Sequence, residues 1–294
     1  MVRRSAGQIA TAVAARRSGQ CLMDQRTGTR CAPGDGPAPV HEEIVLPAAQ
    51  RTLAGHWALD QDVLWNAAEL TELAVSRRTA REYDVALPHE LDAEGRIALA
   101  QAFAVFLADR YGCAVDTTVH APSAQGDSRN HHASLLSTTR EVKSTGLGAK
   151  TVLELPNSTR RELGLPSSTM ELVFIREQWA RLVNEALQRY GLDVRVDHRS
   201  LVAQRKAALQ RGDDELADTL DRPATLHLGP NASALERRGA ETSLGTFNAY
   251  AREAGQPQAR ARELAALAEE IALLESMLAD HGQQLGSASS GAGG

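Results

Sequence analysis

At 294 residues, with 43% hydrophobic and 23% charged residues, the chain has ordinary soluble composition and room for one large core or two smaller ones. Its net charge of −5 excludes a uniformly basic surface, and no stretch approaches the roughly 20 consecutive apolar residues that a membrane span needs. The three cysteines, Cys21, Cys31 and Cys113, form no CxxC pair, which argues against a zinc site or a disulfide framework and points to a reducing cytoplasm.

The average charge hides an asymmetry. Residues 1–30 carry six arginines (Arg3, Arg4, Arg16, Arg17, Arg26 and Arg30) against one acid, Asp24. The first element expected is a helix from Ser5 to Arg17, with Ser5 as N-cap and Gly19 in the left-handed position that ends it. A glycine- and proline-rich connector, "RTGTRCAPGDGPAP", leads to a short strand, "EEIVLP", closed by Pro47. Apolar spacing predicts a helix from Asp60 to Arg81, capped by Asp60. In "REYDVALP", Glu82 and Asp84 alternate with Tyr83, Val85 and Leu87, giving a strand with one acidic and one apolar face. That acidic pair could serve as a base or sit beside a metal, or simply be solvated. Asp92 caps a further helix to about Tyr111.

Strands are then expected near 113–120 ("CAVDTTVH") and 132–139 ("HASLLSTT"), joined by a loop of about eleven residues. Such a hairpin brings His120 and His132 to facing positions. Two imidazoles can converge on a divalent ion, but two ligands make a weak site, and the next residue on the same face, where a third would stand, is Ser134. The bland alternative is a pair of loop histidines. Beyond lie a helix over Glu171–Tyr190, a short strand "DVRV", an extended "RPATLHLGP" and a helical "NASALERRG". From Ala259 to Asp280, Leu264, Leu267, Ile271, Leu274 and Leu278 recur at spacings of 3 and 4. This heptad seam suits either an amphipathic helix packing on its own domain or docking on a partner or a second copy. The glycine- and serine-rich tail from 284 is expected to be disordered.

The order of "SAGQIATAVAARRSG", "DQRTG", "HEEIVLP", "DVLWNAAELTELAVSRRTAREYDVALPHEL", "VHAP", "NHHASLLSTTREV" and "GLGAKT" resembles the relaxase domain of the MobA/MobL family of plasmid mobilisation proteins. The resemblance continues through "REQWARLVNEALQRYGLDVRVDHRSL" and "HLGPNASALERRGAETSLGTFN", to about residue 250. It implies an α/β (α+β) fold, with a central antiparallel β-sheet flanked by helices and a C-terminal helical extension. The implied organisation is a relaxase-like domain over 1–150, a family-associated extension over 151–250, the heptad helix over 251–283 and the tail over 284–294. Family members nick one DNA strand at a transfer origin. A tyrosine oxygen attacks the phosphodiester, and a metal, Mg or Mn, held by three histidines offsets the charge of the transition state.

By that resemblance His120 and His132 match two of the ligands, Ser134 replaces the third, and Glu82 and Asp84 form the acidic strand beside the metal. The family's "AAYRSG" is "AARRSG" here, so Arg16 stands at the nucleophile position, and the usual opening strand is reduced to a few residues. A guanidinium is no nucleophile, and a serine hydroxyl is a poor ligand. The resulting expectation is a cytoplasmic relaxase homologue that binds single-stranded or origin DNA through Arg3, Arg4, Arg16, Arg17 and Arg26, with nicking impaired and a weakened metal site. At Arg16 the alternative is an arginine that merely suits a helix C-terminus. Two rival functions remain: a metal-dependent nickase that uses water or Ser18, and a non-catalytic interaction module.

Overall fold

A computed structural model describes residues 1–256 except 35, 37, 54, 73, 75–77 and 124–126, together with 267, 268, 270 and 271. The heptad segment lies outside the described residues apart from those last four. The chain divides into two units, Met1–His198 and Arg199–Gly294. Residues 151–198 group with the first unit.

The first unit is built on a five-stranded antiparallel sheet in the order β1-β5-β7-β6-β4. Its strands are β1 (Val2–Arg3), β4 (His41–Val45), β5 (Arg78–Ala86), β6 (Val115–His120) and β7 (His132–Thr138), and two small hairpins, β2–β3 (Leu22–Asp24, Thr29–Cys31) and β8–β9 (Arg140–Lys143, Gly146–Lys150), lie outside it. The expected hairpin is present: β6 pairs with β7 in a register that sets His120 opposite His132. Helices cover both faces. On one side α1 (Ala10–Ser18) and α3 (Gln61–Thr71) enclose a core of Val13, Leu64, Trp65, Ala80 and Leu136. On the other, α4 (Ala93–Tyr111) and α6 (Ser168–Arg189) enclose Phe103, Leu107, Val115, Leu135 and Val183, with Tyr83 and Val85 packed against them. The short α2 (Ala48–Arg51) and α5 (Asn157–Glu162) complete this unit. The caps read from sequence hold: Asp60 accepts from Val63 N, Asp92 accepts from Gly95 N, and Gly19 adopts φ +69° at the end of α1.

Four expectations need correction. Helix α1 begins at Ala10, with Ile9 as its N-cap and no side-chain cap, while Arg4–Ala6 form one 3-10 turn closed by Gly7 in the left-handed region, so Ser5 caps nothing. The opening strand is the stub that the sequence implied, with Val2 opposite Ala80 and Arg3 opposite Arg78. Helix α3 stops at Thr71 instead of Arg81, because β5 starts at Arg78 and its residues from Ala80 onward pair with β7. "DVRV" forms no ladder: its backbone is held by the Asn184 side chain, which donates to Val196 O at 2.9 Å and accepts from Val196 N at 2.8 Å. The polar connector, read as a loop, also contains the β2–β3 hairpin, whose turn Asp24 holds by accepting from Thr27 Oγ1 at 2.6 Å.

In the second unit are α7 (Leu201–Gln210), α8 (Asp214–Leu220), α9 (Gly229–Arg237) and α10 (Ser243–Glu253). There Asn248 holds the extended 222–228 segment through both the N–H and the C=O of Leu226. Among the described residues no helix is long and apolar enough to cross a membrane.

Candidate functional site

Strand alternation and the register place Glu82 and Asp84 of β5, His132 and Ser134 of β7, and Asp116, Thr118 and His120 of β6 on the sheet face covered by α1 and α3. The sequence-predicted strand residues therefore do come together. The His120 and His132 rings stack with centroids 5.1 Å apart and planes 19° from parallel. His132 Nδ1 lies 3.3 Å from the Asn130 carbonyl oxygen. Burial, then the neighbouring His132 and Arg17, pushes the His120 imidazole down to about 4, so it is neutral at physiological pH.

Arg17, in the last turn of α1, bonds Glu82 and reaches Asp84 Oδ1 at 3.1 Å. The same Asp84 oxygen accepts from Ser134 Oγ at 2.7 Å. Ser134 is 6% exposed, and its backbone carbonyl accepts from Thr118 Oγ1 at 3.2 Å. Its hydroxyl is thus committed to a carboxylate. Among the described residues no group of three His, Cys, Asp or Glu side chains converges as a metal site would require. Two imidazoles, a serine turned to an acid and an acid paired with arginine do not fit the three-ligand metal of the resemblance.

Arg16 lies apart from this cluster in its contacts. It is exposed, and Gly34 crosses its backbone so closely that an added Cβ would sit 2.8 Å from the Arg16 carbonyl oxygen. Of the arginines grouped by sequence, Arg4 pairs with Glu69, Arg26 with Asp24 and Glu69, and Arg17 with Glu82 and Asp84. Acids pair with three of these arginines, leaving Arg3, Arg16 and Arg30 exposed and without an ion pair among the described residues. Ser18, the alternative nucleophile, is 4% exposed and donates to the Ala14 carbonyl at 3.1 Å. That back-bond is structural and turns the hydroxyl away from chemistry.

Buried acids escaped the sequence reasoning, Glu69 and Asp116 among them. Glu69 lies four residues after Trp65, hence on the same buried helix face, a spacing that could have flagged it. Asp116 interrupts an otherwise apolar strand entry. Trp65 Nε1 and Gln61 Nε2 both donate to its Oδ2 at 2.7 Å. Burial raises its pKa to about 6, against the opposing effect of those two bonds. Because the folded state binds this proton more tightly than the unfolded chain, stability is expected to fall by about 3 kcal/mol in all as pH rises from below about 4 to above about 6. Asp116→Asn can present its single oxygen to both donors. Urea titrations across that window should show the variant lacking this pH dependence; parallel curves for the two proteins would sink the assignment.

A profile described as the MobA/MobL family matches residues 8–238. Mobilization protein MobL of Acidithiobacillus ferridurans is 32% identical over 303 residues, covering 95% of this chain and 73% of that protein. Mobilization protein A of Escherichia coli is 32% identical over 184 residues, covering 60% of this chain and 23% of that protein. Conjugal transfer protein TraA of Agrobacterium fabrum is 28% identical over 218 residues, covering 68% of this chain and 18% of that protein. The chain therefore spans less than a quarter of the length of the last two. A solved structure from "Molecular Basis of Vancomycin Resistance Transfer in Staphylococcus aureus" superposes with a TM-score of 0.55 at 28% identity, covering 68% of this chain and 95% of that one.

Proposed function

The chain belongs to the MobA/MobL family, and from that premise we propose that it is a DNA-binding relaxase homologue of plasmid mobilisation whose strand nicking is impaired. The observation that carries the proposal is the state of the catalytic face. Where the family's tyrosine would supply a nucleophile, Arg16 is exposed and permanently charged. Where a third imidazole would complete a ligand set, Ser134 donates to Asp84. What remains can bind phosphate: Arg16 offers a cation at the end of α1, and the stacked His120 and His132 rings lie on the sheet face that α1 and α3 cover. With no protein nucleophile in place, no covalent step follows from these residues.

Incubation with Mn²⁺ or Mg²⁺ and a supercoiled plasmid carrying the cognate origin tests this. Salt-dependent DNA binding without cleavage is the expected outcome, and an origin-specific nick with protein attached to the 5′-phosphate would overturn it. Arg16→Ala should weaken single-strand binding at low salt and reduce the slope of log K against log salt by about 0.7, the loss of one phosphate contact. Anisotropy titrations at several salt concentrations read that slope, and an unchanged slope would return Arg16 to a purely helix-terminal role.

A further inference from the structure

A cleft of about 390 Å³ opens at the end of β5, within the first unit, and takes no part in the arrangement of histidines and acids. Its walls are Leu87, Val183, Val194 and Val196, with the Trp179 ring at one side and Arg176 at the mouth. Trp179 is half-buried and rests on Phe103 with centroids 4.9 Å apart, which fixes the plane of the indole. Val194 and Val196 belong to the extended segment that Asn184 pins at Val196, so this wall too is held in place.

The cleft and the histidine pair share one ladder. Ala86, which lines the cleft, stands opposite His132 in the β5–β7 register, and Leu87 N donates to His131 O at 2.9 Å. Four charged residues line the cleft: Glu90, Asp197, Arg129 and Arg176. Glu90 lies 3.2 Å from His89, and Arg129 pairs with Asp127 at 2.8 Å. Arg176 is exposed on α6 and has no hydrogen bond or ion pair among the described residues. An apolar slot with a fixed aromatic plane and an uncommitted guanidinium at its rim suits a flat, apolar-faced ring carried on an anionic backbone.

The geometry points to this cleft as a receptor for one unpaired nucleobase of single-stranded DNA, with Trp179 as the stacking platform and Arg176 on the adjoining phosphate. This deepens the proposed function and rests on it; the link between the two sites is Ala86, which lines the cleft and stands opposite His132 in the ladder. A nucleobase in the slot removes its apolar faces from water without needing a sequence-specific partner, so binding should depend on the presence of a base more than on its identity.

The test uses the full chain and two fluorescein-labelled 15-mers, oligo-dT and an abasic strand of equal length. The unaltered protein should bind oligo-dT about tenfold tighter than the abasic strand. Trp179→Leu, which keeps an apolar side chain but removes the aromatic plane, should reduce that preference to about twofold while leaving abasic affinity unchanged. If this variant does not fold, Val194→Gln, at a position 52% exposed, makes the same comparison without touching the core. Equal affinity of the unaltered protein for the two strands, or a base preference that survives whichever of these variants folds, overturns the cleft assignment and leaves the DNA-binding proposal standing. Absence of binding to either strand overturns both.

Discussion

Glu69→Ala is expected to lower the free energy of unfolding by about 3–5 kcal/mol, the usual cost of stranding buried charge by removing its partner. The Glu69 side chain is fully buried, and one of its oxygens accepts from Ala10 N at 2.6 Å while the other lies 3.2 Å from Arg4 Nε. Ala10 is the first residue of α1, whose N-cap, Ile9, supplies no side-chain acceptor. A carboxylate from α3 therefore does the capping, at the helix end where the backbone dipole favours an anion. Alanine would leave Arg4, with only 10% of its side chain exposed, facing a cavity, and would leave the Ala10 N–H without its acceptor. Glu69→Gln keeps an oxygen for that N–H and should lose less. Urea unfolding followed by far-UV circular dichroism gives both values. A loss below about 1 kcal/mol for the alanine variant would mean that water replaces the carboxylate, and the buried-cap argument would fall. Against a typical total of about 5–15 kcal/mol the expected loss is large enough to unsettle the helix that carries Arg16 and Arg17.

The same residue shows where sequence reasoning reaches its limit. Local signals were legible: Asp60 and Asp92 announce helix starts because a short acidic side chain satisfies orphan N–H groups, and Gly19 announces a helix end. The acidic face of β5 and the His120–His132 pairing were legible too, because period two and a short loop leave few registers. The partners of the arginines were not. Arg17 and Glu82 are 65 residues apart, and Arg4 and Glu69 are separated by the same distance, so only the tertiary fold brings them together. A cluster of six arginines in the first thirty residues consequently looked like a positive surface, whereas three of them pair with acids. The end of α3 was hidden for a similar reason. Residues near Arg78 extend because β7 offers a ladder to them, and a propensity sum over one segment does not contain that partner.

Ser134→His should tighten Mn²⁺ binding by at least about tenfold, because it converts a pair of imidazoles into a set of three, the number from which protein sites for divalent metals are usually built. Position 134 stands between Asp84 and Thr118 in the ladder, on the same face as His120 and His132, so the new ring would enter that face from the central strand. Two contacts oppose it. The hydrogen bond from Ser134 to Asp84 is lost, and the site, 6% exposed, must open to take the larger ring. Freed from the serine, Asp84 retains Arg17 at 3.1 Å and can accept from the new imidazole N–H, which would orient the ring from outside the metal's own ligands. Isothermal calorimetry with Mn²⁺, on the folded variant and the unaltered chain, reads the difference directly and does not require DNA. Nicking is a separate matter. Arg16→Tyr alone supplies a phenol without the third imidazole, and Ser134→His alone supplies the imidazole without a nucleophile. On the proposed function, a covalent adduct with an origin strand is therefore expected only in the double variant, where both a phenol and a third imidazole are supplied. An adduct in either single variant, or no gain in metal affinity from Ser134→His, would overturn the proposal that these two positions impair nicking.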